Sequence, residues 1–352
     1  MSAGQTPALP PRPSGLARGK DERQRLSPCP GEAGGEVRPL DVLSVGNFCV
    51  DVLIRPVRRL PEPGGLEIID DYSLLTGGCG NNCAIALARL GLSVASVGRI
   101  GADRAGEIVL EELRANGVRT EYLLRDQQRR TSLSVVAISE DGQRSFFHLP
   151  GASAALSETD VPLDVLATVR ALHIGGAFLF PGFDGEPMAR VLAQSRLAGA
   201  LTFVDTAVDG AGNRLEVLRA ALPYMDYFLP SEAEATGMTG ASRPEAMAEA
   251  LLHEGVGTVV IKLGERGCLV ASRSSVVRVP AFQVQPVDTC GAGDTFTAGF
   301  IAGILKGLDA VAAGRLANAV GAMCVTGLGA TTAVGTWEET VRFMERTPLR
   351  QG

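Results

Sequence analysis

The stretch Asp288-Thr-Cys-Gly-Ala-Gly-Asp-Thr-Phe-Thr-Ala-Gly-Phe300 sets three small residues directly before a carboxylate and a helical pattern. Phe296, Phe300, Ile301, Ile304 and Leu305 recur at helical spacing, which predicts a helix with one apolar face from about Asp294. Gly291, Ala292 and Gly293 read as a flexible turn feeding it. A helix start presents unpaired backbone N–H groups at the positive end of the helix dipole, and phosphate is the anion most often held there. A carboxylate at the same place repels phosphate unless it has another task. Taking the proton from a hydroxyl that attacks the phosphorus is such a task. Taken alone, the text is more often a plain turn and N-cap. It is also a poor dinucleotide fingerprint, because Phe296 stands at the third glycine position.

The chain has 352 residues, enough for one large domain or two medium ones, and 45% hydrophobic with 20% charged residues is ordinary for a globular protein. A net charge of −6 gives no footprint for nucleic acid or an anionic membrane, and no uncharged apolar run is long enough to span a bilayer. The 7 cysteines are scattered and odd in number, with no secretory signal before them, so they read as reduced cytoplasmic thiols. Cys79 and Cys83 lack a second ligand pair at zinc spacing, since the histidines are His148, His173 and His253. Residues 1–38 are rich in Pro, Gly, Ser and charge without apolar periodicity, which predicts a disordered tail. The tail lacks an apolar signal region, and Glu22 and Glu32 argue against a transit peptide.

Order is expected from Asp41-Val-Leu-Ser-Val-Gly-Asn-Phe-Cys-Val-Asp51, a buried strand ending at Gly46-Asn47 with Asp51 just beyond it. That is where open α/β sheets bind ligands, although a turn carboxylate fits equally well. Two β-rich excursions interrupt the chain, at about 52–75 around Pro61-Glu-Pro-Gly-Gly65 and at about 131–150 with Asp141-Gly142 between two β runs. They predict a small second sheet covering a site. His148, in the second excursion, reads as a packed strand residue. Between them lies Thr76-Gly-Gly-Cys-Gly-Asn-Asn82, a glycine-rich helix start whose Asn82 can bond hydroxyls, and the helix that follows ends at Gly91. Tight helix packing explains those glycines equally well. The strand Val94–Val97 leads into a polar turn, 98–103, and an amphipathic helix to Asn116. Beyond Pro150, strand and helix alternate, with strands ending at Gly175, Asp205 and Lys262. This predicts a parallel sheet with ligand-binding loops along one edge.

At this point Gly77-Gly-Cys-Gly-Asn-Asn82 through Gly101 and Asp288-Thr-Cys-Gly-Ala-Gly-Asp294, in this order and spacing, resemble the two signatures of the ribokinase-like, or PfkB, carbohydrate kinases. The resemblance covers roughly residues 40–340. It implies an α/β fold, a ribokinase-like three-layer α/β/α sandwich over 39–345 with a mainly parallel central sheet and a small β-sheet lid. It implies an enzyme that uses ATP and Mg²⁺ to phosphorylate a hydroxymethyl group of a sugar, and a homodimer paired through the lid, with neither nucleic acid nor membrane as partner. Asp294 corresponds to the catalytic base, and Gly291, Ala292 and Gly293 to the anion hole. Asp51, Gly78 and Asn82 match the sugar-binding positions. Lys262, Gly264 and Gly267 match the loop near the ATP phosphates, and Asn318 the helix beside the adenine. Glu234 corresponds to a glutamate that organises magnesium, and Asp288 to a ligand of K⁺ in members that use potassium.

The chain departs from the pattern twice. Ser231 stands where Asn is usual three residues before Glu234, which weakens the magnesium assignment. Cys79 replaces the lysine of the ribokinase Gly-Gly-Lys-Gly sequence, which puts ribose in doubt and disfavours a sugar phosphate acceptor. No Gly-x-x-x-x-Gly-Lys-Ser/Thr sequence is present, so a P-loop kinase is excluded. A nucleoside kinase of the same fold ranks second, because only 5% of residues are aromatic. A non-catalytic sugar or nucleotide sensor would not need Asp294.

Overall fold

The computed structural model describes residues 24–25, 39–140, 143–207 and 214–350. Apart from Gln24–Arg25, the tail expected over 1–38 lies outside these residues, as does the Asp141-Gly142 turn. Gln24–Arg25 forms a two-residue strand, β1. The chain enters a large sheet at β2 (Val42–Gly46), leaves it at once for β3 (Cys49–Arg55) and β4 (Asp71–Gly77) of a smaller sheet, and returns through α1 (Cys79–Arg89) to β5 (Val94–Gly101). It continues through α2 (Arg104–Ala115) to β6 (Arg119–Asp126), and β7 (Ser132–Ile138) and β8 (Arg144–Leu149) revisit the smaller sheet. Alternation follows: α3 (Leu163–Leu166), β9 (Ala171–Ala177), α4 (Glu186–Leu197), β10 (Leu201–Thr206), α5 (Arg214–Leu218) and β11 (Tyr227–Phe228). Then come α6 (Glu232–Thr239), α7 (Pro244–His253) and β12 (Thr258–Lys262), which pairs with β13 (Cys268–Ser272) and β14 (Val276–Val279). The chain closes with α8 (Ala292–Leu305), α9 (Ala310–Cys324) and α10 (Trp337–Arg346).

The ten-stranded sheet runs β1-β6-β5-β2-β9-β10-β11-β12-β13-β14, parallel from β6 to β12 and antiparallel at both edges. Its central strands β2 and β9 are buried along their whole lengths, as a sheet covered on both faces requires. Successive side chains divide between two cores. Leu43 and Val45 of β2 and Val259 and Ile261 of β12 face Val191 of α4, Met238 of α6 and Leu251 of α7. Val42 and Val260 face Ile85 of α1, Leu110 of α2, Phe300 of α8 and Val320 of α9. The three layers therefore follow from a two-residue side-chain period on strands that have helices on both sides. No helix among the described residues is long and apolar enough to cross a membrane.

The smaller sheet, β4-β3-β7-β8, joins the two expected excursions, with β3 and β7 parallel at its centre. The first excursion spans Cys49–Gly77, so Asp51 lies inside strand β3 rather than beyond the end of β2. Of the turn expected at 98–103, residues 98–101 are instead the second half of β5, and only Ala102 and Asp103 connect it to α2. Gly98 serves close packing there, since a Cβ on it would lie 2.4 Å from the Phe48 ring. The sequence reading had no assignment for β6, β13, β14 or α10.

Helix α8 is fixed by its apolar face. Phe300 is fully buried, its ring 5.4 Å from that of Tyr227 and 6.5 Å from that of Phe203. Phe300→Ala is expected to cost about 3–5 kcal/mol, read as a lower urea midpoint at unchanged m-value. An unchanged midpoint would show that α8 is held by something else.

Candidate functional site

The carboxyl edge of the parallel strands and the start of α8 meet at one place. Gly291 is the N-cap of α8, in the left-handed region at φ 74°, and a Cβ there would lie 2.4 Å from the Ala330 side chain. The helix thus begins at Ala292, two residues earlier than the periodicity predicts, and Gly293 and Asp294 belong to its first turn. Of the three residues expected to form the turn, only Gly291 leaves helical geometry. Amides of this turn have no carbonyl within the helix to bond. Asp288, fully buried, accepts from the amides of Cys290 at 2.8 Å and Gly329 at 3.0 Å, which fixes the approach to Gly291.

Two cavities share this turn as a wall. The first, about 570 Å³, is lined by Gly291 and Asp294 below and by inward-facing lid residues above, including Asp51, Leu53, Ser134 and His148. The second, about 400 Å³, is lined by Ala292 and Gly293 together with Lys262, Phe282 and Asn318. Asp294 Oδ2 accepts a 2.8 Å hydrogen bond from Asn82 Nδ2, in the first turn of α1. Burial holds the Asp294 carboxyl above the ordinary aspartate range, although Asn82 and the charge of Lys262 pull it down. Gly78, at φ 99°, lets the chain pass against Asn47, whose Oδ1 accepts from the amide of Cys79 at 2.8 Å. Asp51 accepts from the Cys49 thiol at 3.3 Å, and burial raises its carboxyl too.

The second cavity is mostly apolar at its far end, with Phe282, Val284, Ala322 and Val325 in the wall, and polar where Lys262 meets Gly293. Gly264 and Gly267 line it, and a Cβ on Gly267 would collide with the carbonyl of Val279 at 2.0 Å. Asn318 donates its amide to the carbonyls of Val279 at 3.0 Å and Pro280 at 3.1 Å, so it fixes the wall as well as lining it.

Beneath the shared turn, Lys262 Nζ lies 2.5 Å from Asp205 Oδ1, and Thr297 of α8 donates to Asp205 Oδ2 at 2.8 Å. Burial pushes the Asp205 carboxyl up to about 6, against the pull of Lys262. Burial works against the Lys262 charge, but Asp205, Glu234 and Asp294 outweigh it and raise the ammonium pKa. Glu234 Oε2 accepts from Thr206 Oγ1, Ser231 N and Ser231 Oγ, each at 2.7 Å, and closes a capping box at the start of α6. Among the described residues no group of three or more His, Cys, Asp or Glu side chains can hold a metal.

The structure therefore brings Asp51, Gly78, Asn82, Asp288, Gly291 and Asp294 to one cavity, and Lys262, Gly264, Gly267, Ala292, Gly293 and Asn318 to the other. Glu234 lines neither, but its charge acts on Lys262 in the wall of the second cavity and on Asp294 in that of the first. The sequence reading did not single out Asp205 as a site residue, although its place at a strand end was the available signal. His148 lines the first cavity instead of packing into the lid, which side-chain alternation on an unanchored strand cannot reveal.

Comparison with known proteins gives a consistent result. The model of the pfkB family carbohydrate kinases matches residues 40–337. A probable fructokinase-5 of Arabidopsis thaliana is 27% identical over 86% of this chain and 97% of its own. The 2-dehydro-3-deoxygluconokinase of Bacillus subtilis is 30% identical over 80% of this chain and 90% of its own. Among solved structures, Arabidopsis thaliana ribokinase complexed with ribose and ATP superposes with a TM-score of 0.76 at 26% identity, covering 87% of this chain and 99% of that one.

Lys262→Met would strand the buried Asp205 charge, at an expected cost of about 3–5 kcal/mol in thermal or chemical unfolding. The double variant with Asp205→Asn should recover most of that loss. Equal destabilisation in single and double variants would mean that the ion pair is not what couples them.

Proposed function

The chain belongs to the pfkB family of carbohydrate kinases, ATP-dependent enzymes that phosphorylate sugars, and we propose that Asp294 is its catalytic base. Asp294 takes the proton of an acceptor hydroxymethyl group, and the amides of the first α8 turn neutralise charge on the transferring phosphoryl group. The observation that carries this reading is the shared wall: Gly291 and Asp294 line one cavity and Ala292 and Gly293 the other. A base on the acceptor side and free amides on the donor side of a single helical turn is what in-line transfer needs. Asp51, Gly78 and Asn82 bind the acceptor's hydroxyls, and Asn82 also orients Asp294. The ribose and ATP of the Arabidopsis ribokinase complex support two adjacent substrates.

The second cavity fits ATP by its chemistry: an apolar end for the base and, near Lys262 and Gly293, cationic and amide groups for phosphates. ATP with Mg²⁺ supplies the group transferred. Glu234 would hold the ion through ordered water, and the ion would supply charge neutralisation on the phosphates. Asp288 has both oxygens on the amides of Cys290 and Gly329, so we assign it to tying the turn and put no potassium ion into the proposal. The inner face of the lid covers the acceptor and excludes water, a rival nucleophile.

The lid's outer face supports a dimer. Strand register aligns Leu74, Val52, Val135 and Phe147 into an apolar row, with Tyr72 68% and Phe147 53% exposed beside it. A second copy's lid is the occupant we propose. Free thiols at Cys49, Cys79, Cys83, Cys268, Cys290 and Cys324 fit a reducing cytoplasm.

Asp294→Asn is expected to lower kcat by about 10²–10⁴-fold while leaving the ATP dissociation constant within about twofold. Substantial remaining turnover sinks the base assignment. Because the carboxyl is raised, wild-type kcat should fall as pH drops through a pKa above that of ordinary aspartate. Stability runs the opposite way with pH. A carboxyl raised in the folded state stabilises it most below the unfolded pKa, and that contribution is lost as pH rises through the folded pKa. Asp294→Asn should therefore melt higher than wild type at pH 8, with the gap narrowing towards pH 4. Phe147→Asp should halve the mass seen by sedimentation, and an unchanged mass would place any dimer elsewhere.

A further inference from the structure

The first cavity has a charge pattern that its size and family do not require. Asp51, Asp288 and Asp294 line it, and among the described lining residues there is no lysine or arginine. Lys262 faces the other cavity, already matched by Asp205. A carboxylate or phosphate carried by the acceptor would enter between Asp51 and Asp294 without a cation to meet it, which a part-desolvated site penalises heavily.

What the cavity does offer is a polar row made by strand register. Asp51 of β3 pairs with Ser134 of β7, which pairs with His148 of β8. Ser134 Oγ lies 3.1 Å from His148 Nδ1, and Ser134 also hydrogen-bonds Asp51. Two residues further along the same strands, Leu53, Val136 and Phe146 form an apolar row facing the same way. Carboxylate, hydroxyl and imidazole can each bond an uncharged hydroxyl, and the apolar row can cover the C–H face of a sugar. Even as a cation, His148 would be one positive group on a wall that holds three carboxylates.

We propose that the acceptor is an uncharged polyol, and that His148 is a specificity-determining residue that holds one of its hydroxyls from the lid. The proposal rests on the kinase reading and narrows it. It separates this chain from a sugar-acid kinase such as its Bacillus subtilis relative, whose name denotes an anionic acceptor.

The test measures acceptor-dependent ADP release by the full chain with ATP and Mg²⁺. Fructose and ribose are compared with 2-dehydro-3-deoxygluconate and fructose 6-phosphate. A kcat/KM for the better neutral sugar at least about a hundredfold above either anion is expected. An anion that matches or exceeds it overturns the selectivity while leaving the kinase reading standing. No acceptor-dependent release from any sugar overturns both. His148→Ala should raise KM for the neutral acceptor about tenfold with kcat little changed. His148→Gln, which keeps a side-chain donor and acceptor, should return KM to within about threefold of wild type. His148→Arg should raise kcat/KM for the sugar acid about tenfold, since it adds the missing cation. Melting curves for each variant separate misfolding from lost recognition. A wild-type KM in a well-folded His148→Ala protein overturns the role of His148.

Discussion

The 2.8 Å hydrogen bond from Asn82 to Asp294 joins the first turns of two helices that lie 212 residues apart in the chain. Both turns start abruptly at glycines with positive φ, Gly78 and Gly291, and the bond between their first turns brings the two helix starts together. A β-carbon at either glycine would strike a neighbour, Asn47 O at 2.5 Å or Ala330 Cβ at 2.4 Å. The arrangement therefore tolerates no side chain at the two positions that aim the helices. The acceptor cavity, the donor cavity and the carboxylate between them all follow from that convergence.

A convergence of helix starts favours anions, yet the site also gathers Asp205, Glu234 and Asp294. Lys262 makes this tolerable. It ends β12, reaches Asp205 on β10 and stands among all three carboxylates. Neutralisation is incomplete, and burial above all, with a smaller push from neighbouring carboxylates, holds the Asp205 and Asp294 carboxyls above the ordinary aspartate range. For a base this is useful, because a raised pKa brings proton affinity closer to what an alcohol demands. The same burial lowers stability at neutral pH, an exchange often made at working sites.

The lid works by a different rule. Its four strands carry two faces at a two-residue period, polar and apolar rows inward and an apolar row outward. A slip of one residue in β8 would place Phe147 where His148 stands and turn that strand's inward face outward. Pairing β3 with β7 in parallel, across the helix α1 and the strands β5 and β6, is what places Asp51 beside Ser134.

Much of this was legible in the residues. The mostly apolar, buried β2 and β9, the helix following Gly77, the two β excursions and the Gly-Ala-Gly-Asp294 turn each have local causes: side-chain period, glycine torsion and turn chemistry. The family resemblance then named Asp51, Asn82, Lys262 and Asn318, which the structure places in the walls of the two cavities. Local pattern failed where a glycine served packing, as at Gly98, or where a strand had no anchor of its own, as in β13 and β14. The sequence by itself determined the layered α/β fold, the lid and the carboxylate at the head of α8, because those depend on the periodicity and torsions of neighbouring residues. Only the tertiary structure decided that Asp205 balances Lys262, that Glu234 is held by Thr206 and Ser231, and that His148 lines the first cavity. Each of those depends on strand register and on distances between segments far apart in the chain, and hydrophobic pattern carries no information about either.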